Sequence, residues 1–426
     1  MKWRIAILVS IAISISYADR QALPVAIKAV QADIPISNLV KSFLDTAFLA
    51  AYGLMYLGGG RLLDKLGTRR GFMLVMLFWS LACASQGLAT GVAMLAVSRL
   101  LLGLGEGGGF PAATRVAAEW FEAKDRSTAM GIMNAGTAVG AVAAGPVITL
   151  VILPHVHWLG LAGWRWTFFL AGAMGLLWLA WWIIRYSPPV KAIALEPLAD
   201  SGPLIPLRQL LSFRETRGVV LAKFLTDAAW YFYLFWLPKY LYDARHFDFK
   251  ATGTVVWIPP AASGLGALIG GTLSSRLAKG GTSINASRKI ALGLSAAIMP
   301  CVMLVPAVSV PWAIALFSVV YFGQQSWSTL IMTLPTDLFP QRAVGTVAGL
   351  VGFGGAMGGC VLGTLAGYML DHGVGYGPVL AIAGSLHVAA FVVILVMVPV
   401  IRPLYAENWR AQVVGTEEEP SPQPSP

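Results

Sequence analysis

Gly60-Arg-Leu-Leu-Asp64-Lys65-Leu-Gly67-Thr-Arg69-Arg70 sets an acid and a cluster of bases between two long apolar runs, Val40 to Leu62 and Gly71 to Leu88. A bilayer core demands about twenty apolar residues of a helix, so this polar stretch reads as a turn at a membrane face. Working outward with a window of about nineteen residues, further runs appear near Trp3 to Ile27, Met94 to Ala118, Ala129 to Leu153, Trp164 to Ile184, Val219 to Tyr242, Thr254 to Leu277, Ile290 to Pro306, Trp312 to Thr333, Val344 to Leu370 and Val379 to Ile401. The expected fold is all-α and integral to the membrane, with twelve transmembrane helices.

Composition agrees. The 426 residues are 57% hydrophobic and 12% charged, with a mean hydropathy of +0.71, whereas a soluble domain carries about 25% charged residues. Lys2 and Arg4 before an apolar run resemble the start of a signal peptide. The apolar pattern continues to Ile27, however, so a retained first helix is expected. About twenty of the thirty lysines and arginines fall on one side if both termini are cytoplasmic, and about six, among them Lys28, Lys41, Arg165 and Lys239, fall on the other. That bias accounts for the formal charge of +10 without a nucleic-acid partner. Cys83, Cys301 and Cys360 all lie in expected spans and read as buried thiols, neither disulfide-bonded nor metal-bound. No cofactor is expected.

One connection differs from the others. Residues 187–216, with several prolines and mixed charge, divide the chain into an expected N-terminal bundle (1–186) and C-terminal bundle (217–402), six helices each, followed by a polar, proline-rich tail at 403–426 expected to be disordered. Gly271-Thr-Leu-Ser-Ser275-Arg276, with Arg288-Lys289 beyond it, faintly repeats the Gly60 turn: glycine stands four positions before the polar residue and bases follow. Two related halves with a site between them near the midplane is a transporter pattern.

Against this background Asp19 and Arg20 stand out, adjacent charges in an otherwise uncharged helix-length segment, Ile5 to Ile27. A charge at membrane depth is costly enough to be read first as functional. Arg99 and Glu106 repeat the oddity, seven residues apart and so on one helix face about 10 Å from each other. Arg20 lies late on the first helix and Arg99 early on the oppositely running fourth, at similar depth. Two guanidiniums there can clamp a carboxylate bidentately, which lysine cannot match. The structural alternative pairs Asp19 with Arg99, or Arg20 with Glu106. Burial disfavours an ionised carboxylate and a neighbouring arginine favours it; Asp19 and Glu106 both stand between these influences.

The Gly60 to Arg70 connection resembles the signature loop of the major facilitator superfamily. Tyr17-Ala-Asp19-Arg20, Arg99-Leu-Leu-Leu-Gly103-Leu-Gly-Glu106 with Phe110-Pro111, and Gly163-Trp164-Arg165-Trp166-Thr-Phe168 resemble its anion:cation symporter branch. Within that branch, Lys223-Phe-Leu-Thr-Asp227-Ala-Ala-Trp230-Tyr-Phe-Tyr-Leu-Phe-Trp236-Leu-Pro238-Lys239-Tyr240 and Pro335-Thr-Asp337-Leu-Phe-Pro340 look most like the bacterial hexuronate transporters. The resemblance implies proton-driven uptake of a sugar acid such as glucuronate or galacturonate, or a related aldonate or aldarate, through the inner membrane by a monomer. Its partners would be the anion, protons and the bilayer.

It also implies roles. Glu106 and Asp19 become the protonation candidates, with Asp19 alternatively an orienting partner for an arginine. Tyr52 sits where the family places a substrate-contacting tyrosine. Gly60, Asp64, Lys65, Gly67, Arg69 and Arg70 would form a cytoplasmic latch, with Arg115 or Arg126 as partners for Asp64; a solvated turn is the alternative. For sugar hydroxyls, which need hydrogen-bond partners and an aromatic face, the candidates are Tyr17, Tyr52, Asn134, Trp230, Tyr233, Gln324, Gln325 and Trp327, although such aromatics also serve as packing or interface residues. Lys223 and Asp227, four apart, read as a local ion pair. The glycines around Glu106, together with Gly136, Gly140 and Gly145-Pro146, read as close-packing positions, and the proline as a bend.

Competing readings are an organic-anion or organophosphate exchanger, which also uses paired arginines but needs no titrating acid, and a polytopic membrane enzyme or sensor. An enzyme would need clustered catalytic side chains, and His155, His157, His246, His372 and His387 read as scattered over loops and helix ends.

Overall fold

Within a bilayer every backbone N–H and C=O must be satisfied inside its own segment, so apolar runs of this length fold as helices. The computed structural model describes residues 2–120, 123–187, 206–339, 341–402 and 404; side chains at 59–65, 114, 117–118, 123–128, 130–131, 275, 336, 341–342 and 344–345 lie outside the description, as does the expected tail. The described residues are helical and contain no strand. In chain order the long rods are α1 (Lys2–Asp33), α2 and α3 (residues 38–66 and 68–86 of the stretch Asn38–Gln86), α4 (Val92–Glu106 continuing as Gly109–Trp120) and α5 (Ala123–Pro146). They continue as α6 (Gly163–Arg185), α7 (Arg214–Arg245), α8 (Phe249–Val255 continuing as Ile258–Lys279), α9 (Ile284–Ile298), α10 (Val310–Ile331), α11 (Gln341–Asp371) and α12 (Tyr376–Met397). Nine described stretches are long and apolar enough to cross a membrane, and α2, α3 and α10 complete the expected order.

Several boundaries move. α1 runs to Asp33 and α7 begins at Arg214, past the apolar runs that located them. The signature turn is narrower than expected: the chain stays helical through it apart from Gly67, whose φ of 74° and ψ of 159° break the rod at one residue. A side chain disfavours that backbone conformation, which suits glycine. Beyond Pro146, α5 continues as a broader, π-helical turn at Val147–Ile152, the kind of local distortion found in helix interiors beside a proline.

α1 packs on α5 and α6, α2 on α4, and α3 on α6; in the second half α7 packs on α11 and α12, and α8 and α9 on α10. Close approach explains some of the glycines: a Cβ at Gly140 would stand 2.0 Å from the Ser14 carbonyl oxygen of α1. The halves meet through α2 with α11, α5 with α8, and α1 with α7. They do so unequally along the bundle. Toward the face opposite the described chain ends, here the distal face, one hydrophobic core includes residues of both halves, such as Phe48, Trp236, Val305 and Leu362. Toward the face carrying those ends, the terminal face, the second half keeps a core of its own, with Val219, Trp327, Leu338 and Ile394. The core shared by both halves thus gives way, toward the terminal face, to one belonging to the second half alone.

Candidate functional site

Six buried charges from α1, α2 and α4 gather in the first half. Glu106 ends the straight part of α4, where the chain turns at Gly107, and its Oε2 accepts from Arg20 Nε at 2.7 Å and from Ser16 Oγ at 2.8 Å. Ser16 and Arg20 are one turn apart on α1, so both donors converge on one oxygen. Asp19 faces the other way and accepts from Trp79 Nε1 of α3 at 2.6 Å. Two turns back on α4, Arg99 Nη2 donates to Asp45 Oδ1 at 3.0 Å, while Lys41 Nζ holds Asp45 Oδ2 at 2.7 Å. Arg99 and Lys41 are 0% exposed.

Aromatic rings wall the arginines. Arg20 lies 4.3 Å from the Tyr52 ring and 4.6 Å from Tyr17, and Phe48 stands between the guanidiniums, 5.7 Å from Arg20 and 4.7 Å from Arg99. Cations over ring faces are stabilised without being neutralised. Among the described residues, Arg20 Nη2, Arg99 Nε, Arg99 Nη1, Glu106 Oε1 and Asp19 Oδ1 have no hydrogen-bond partner. Buried charged groups ordinarily use their full hydrogen-bonding capacity. Three unpartnered guanidinium N–H-bearing atoms around one ring form a donor set suited to an anion.

The alternatives left open by the sequence resolve in part. Arg20 pairs with Glu106, while Asp19 pairs with Trp79 and not with Arg99. Arg99 has a partner the sequence reading missed, Asp45. Lys41, counted as an outer-face base, is instead buried against Trp236 of the other half, 4.1 Å from its ring. A period-four signal at Lys41 and Asp45 was available, yet both lie near the end of an expected span, where charges are routine.

The second half builds a different cluster. Lys223 Nζ contacts Asp227 Oδ1 at 2.8 Å and Ser328 Oγ at 3.0 Å, and Gln324 Nε2 reaches the same Asp227 oxygen at 3.3 Å. Gln324 Oε1 in turn contacts His387 Nε2. His387 is therefore a fully buried mid-helix residue of α12, not one of the histidines at loops and helix ends. Trp327 packs edge-to-face on His387 in the second core.

Between the halves lies a narrow cleft lined by Tyr17, Thr137, Trp230, Ser263, Tyr321 and Gln325. A neighbouring one continues distally past Gln21, Gly145 and Pro238 and shares Tyr321. Tyr17, Trp230 and Gln325 thus meet at the midplane. Asn134 is exposed on the α5 face that carries Thr137 and Ala138. Tyr52 bonds Tyr56 at 3.4 Å beside Arg20. Tyr233 is buried against Tyr321 and Phe317, and its hydroxyl has no partner among the described residues. The sequence reading missed Tyr321, whose hydroxyl donates to the Tyr233 carbonyl at 3.0 Å; a tyrosine in an apolar span gives no signal of its own.

At the terminal face, Gly60, Asp64, Lys65 and Arg126 fall outside the described side chains. Of their neighbours, Arg69 donates to the Ile183 carbonyl at 3.0 Å, and Arg70 is exposed. Arg115 pairs with Glu119 at 3.0 Å, and Glu119 also accepts from Thr68 and from Tyr186. In the second half Arg288 pairs with Asp337 at 2.9 Å, so each half joins the start of its third helix to an acid at the end of, or just beyond, its fourth. Cys83 is buried, whereas Cys301 and Cys360 are only partly so, and all three thiols are free.

Residues 9–363 match the family profile described as Major Facilitator Superfamily. The chain is 27% identical over 398 residues to the hexuronate transporter of Escherichia coli K12, covering 90% of each. It is 27% identical over 397 residues to a D-galactonate transporter of Escherichia coli O6:H1, covering 88% of this chain and 90% of the relative. The fold matches an inward-facing, occupied crystal structure of a bacterial homolog to the human lysosomal transporter Spinster, with a TM-score of 0.70, 17% identity, and coverage of 93% of this chain and 95% of that one.

Proposed function

This chain belongs to the major facilitator superfamily, and from that premise we propose that it is a proton-coupled symporter importing a sugar-acid anion, a hexuronate such as galacturonate or a related aldonate or aldarate, by alternating access. It is a multi-pass membrane transporter and not an enzyme. The observation that carries the proposal is the pairing of each buried arginine with a buried carboxylate while guanidinium N–H groups remain unpartnered. Arg20 and Arg99 take the substrate carboxylate. Glu106, displaced from Arg20 by that anion, takes a proton, because an ionised acid without its counter-charge is disfavoured in low dielectric. Asp19, held by Trp79, is the second protonation candidate. Tyr17, Tyr52, Trp230 and Gln325 face the sugar ring. The distances from Glu106 to Arg20 and to Ser16 support this exchange, since both donors hold its ionised form.

Proton coupling has an energetic rationale. Entry of an anion against an inside-negative potential costs about 2.3 kcal/mol per 100 mV, and more than one co-transported proton reverses the sign. In this reading the protein works as a monomer in the bacterial inner membrane, with both termini and the terminal face cytoplasmic and the distal face closed. The test is uptake of hexuronates, aldonates and aldarates by proteoliposomes with and without an imposed proton gradient. Accumulation only with an inward proton gradient is expected. Counterflow indifferent to pH would favour the exchanger reading, and uptake of none of these acids would end the proposal.

A further inference from the structure

Resting on the symport reading above, we propose that Asp45 is the internal counter-anion of Arg99, a positioning residue that competes with the substrate carboxylate and so sets how tightly the substrate is held and how fast it leaves. Three observations carry this. Asp45 holds Arg99 through one oxygen and Lys41 through the other, so one acid serves two cations. Arg99 keeps Nε and Nη1 without partners among the described residues, so Asp45 engages one corner of the guanidinium and leaves the rest for a second carboxylate. The cover over this cluster belongs to the other half: Trp236 of α7 lies 4.1 Å from Lys41, and Phe235 lies 5.9 Å from Arg99.

The arrangement has a mechanical consequence. While the halves are joined distally, Trp236 and Phe235 keep water from the cluster, and an Arg99 without Asp45 would be a buried, uncompensated cation. When α7 withdraws and the distal face opens, water reaches the cluster, the ion pair weakens in higher dielectric, and Arg99 passes to an entering carboxylate. On closure the two carboxylates compete for one guanidinium, and Asp45 favours release. Lys41 moderates that competition by sharing Asp45. Removing Asp45 strengthens substrate binding and slows release; removing Lys41 gives Asp45 wholly to Arg99 and weakens binding.

The experiment uses full-length protein, in detergent for binding and in proteoliposomes for transport, with D-galacturonate as probe. Asp45→Asn is expected to bind it at least fivefold more tightly than the parent, with KM and kcat falling together. Lys41→Met is expected to bind it at least threefold more weakly. A folded Asp45→Asn protein with unchanged or weaker affinity overturns the inference; should that variant not fold, unchanged or tighter binding by Lys41→Met does so. Failure of the parent to bind sugar acids counts against the symport reading alone. The distance between nitroxide labels at positions 35 and 374, across the distal face, then decides: ligand-free Asp45→Asn should shift toward longer distances, and an unchanged distribution overturns the inference.

Discussion

The two halves place buried charge at comparable positions and use it differently. In the first, Arg20 of α1 meets Glu106 of α4; in the second, Asp227 of α7 meets Gln324 of α10. The first half leaves N–H groups on both arginines unpartnered among the described residues. The second ties Lys223, Asp227, Gln324 and His387 into a chain in which the lysine and the acid neutralise each other. Related scaffolds thus yield one cluster whose arginines keep unpartnered N–H groups and another whose charged groups are paired with each other. Ligand chemistry should be sensitive to the first and stability to the second.

The largest effect should come from Glu106→Gln. The amide still accepts from Arg20 and Ser16, so the fold and substrate exchange should persist, but it takes no proton. Concentrative uptake driven by a proton gradient should be abolished while counterflow survives, measured in the same vesicles. Accumulation by this variant would move the coupled proton to another acid and dissolve the asymmetry between the halves. Next comes Arg99→Lys, which keeps the charge beside Asp45 but loses the fork of donors. Affinity for the transported acid should fall about 10²-fold, or about 2.7 kcal/mol; isothermal titration showing the parent's affinity would refute the clamp.

Asp227→Asn tests the other side of the comparison. It leaves Lys223 buried with neutral neighbours, and breaking a buried pair costs about 3–5 kcal/mol. The expected result is a clear drop in thermal midpoint, followed by tryptophan fluorescence, with substrate affinity changed less than threefold. A variant of parental stability that has lost binding would show the second cluster to be a ligand site after all.

How much of this was legible beforehand depended on contrast. Asp19 and Arg20 were conspicuous because the surrounding segment is uncharged, and Arg99 and Glu106 because their spacing puts them on one face. Asp45 and Lys41 were not, since a base within one turn of a span's end ordinarily reaches water, and only packing against Trp236 shows otherwise. His387 was obscured in the same way: its partner Gln324 comes from a helix 63 residues away in sequence. Apolar runs located the helices because hydrophobic length is a local property. The Gly67 break, one residue wide, was hidden because polar sequence continues a helix as readily as it ends one.

The smallest effect probes where the halves touch. At the distal end of α11, Asp371 accepts from the backbone N–H groups of Asn38 at 2.8 Å and Leu39 at 2.7 Å, the unsatisfied donors of the first turn of α2. It thus caps a helix of the opposite half, beside the local cap from Ser37. Loss of a capping side chain costs about 0.5–2 kcal/mol, and the exposure of this one places it near the lower end. Opening of the distal face would break this contact, so Asp371→Ala should leave the fold intact and move the balance between closed and open distal faces toward opening by about two- to fivefold, the ratio equivalent to about 0.5–1 kcal/mol. Modification rates of a single distal cysteine, in a background without Cys83, Cys301 and Cys360, would report it. An unchanged rate would mean that the joint core around Phe48 and Trp236, and not the polar rim, determines which face is closed.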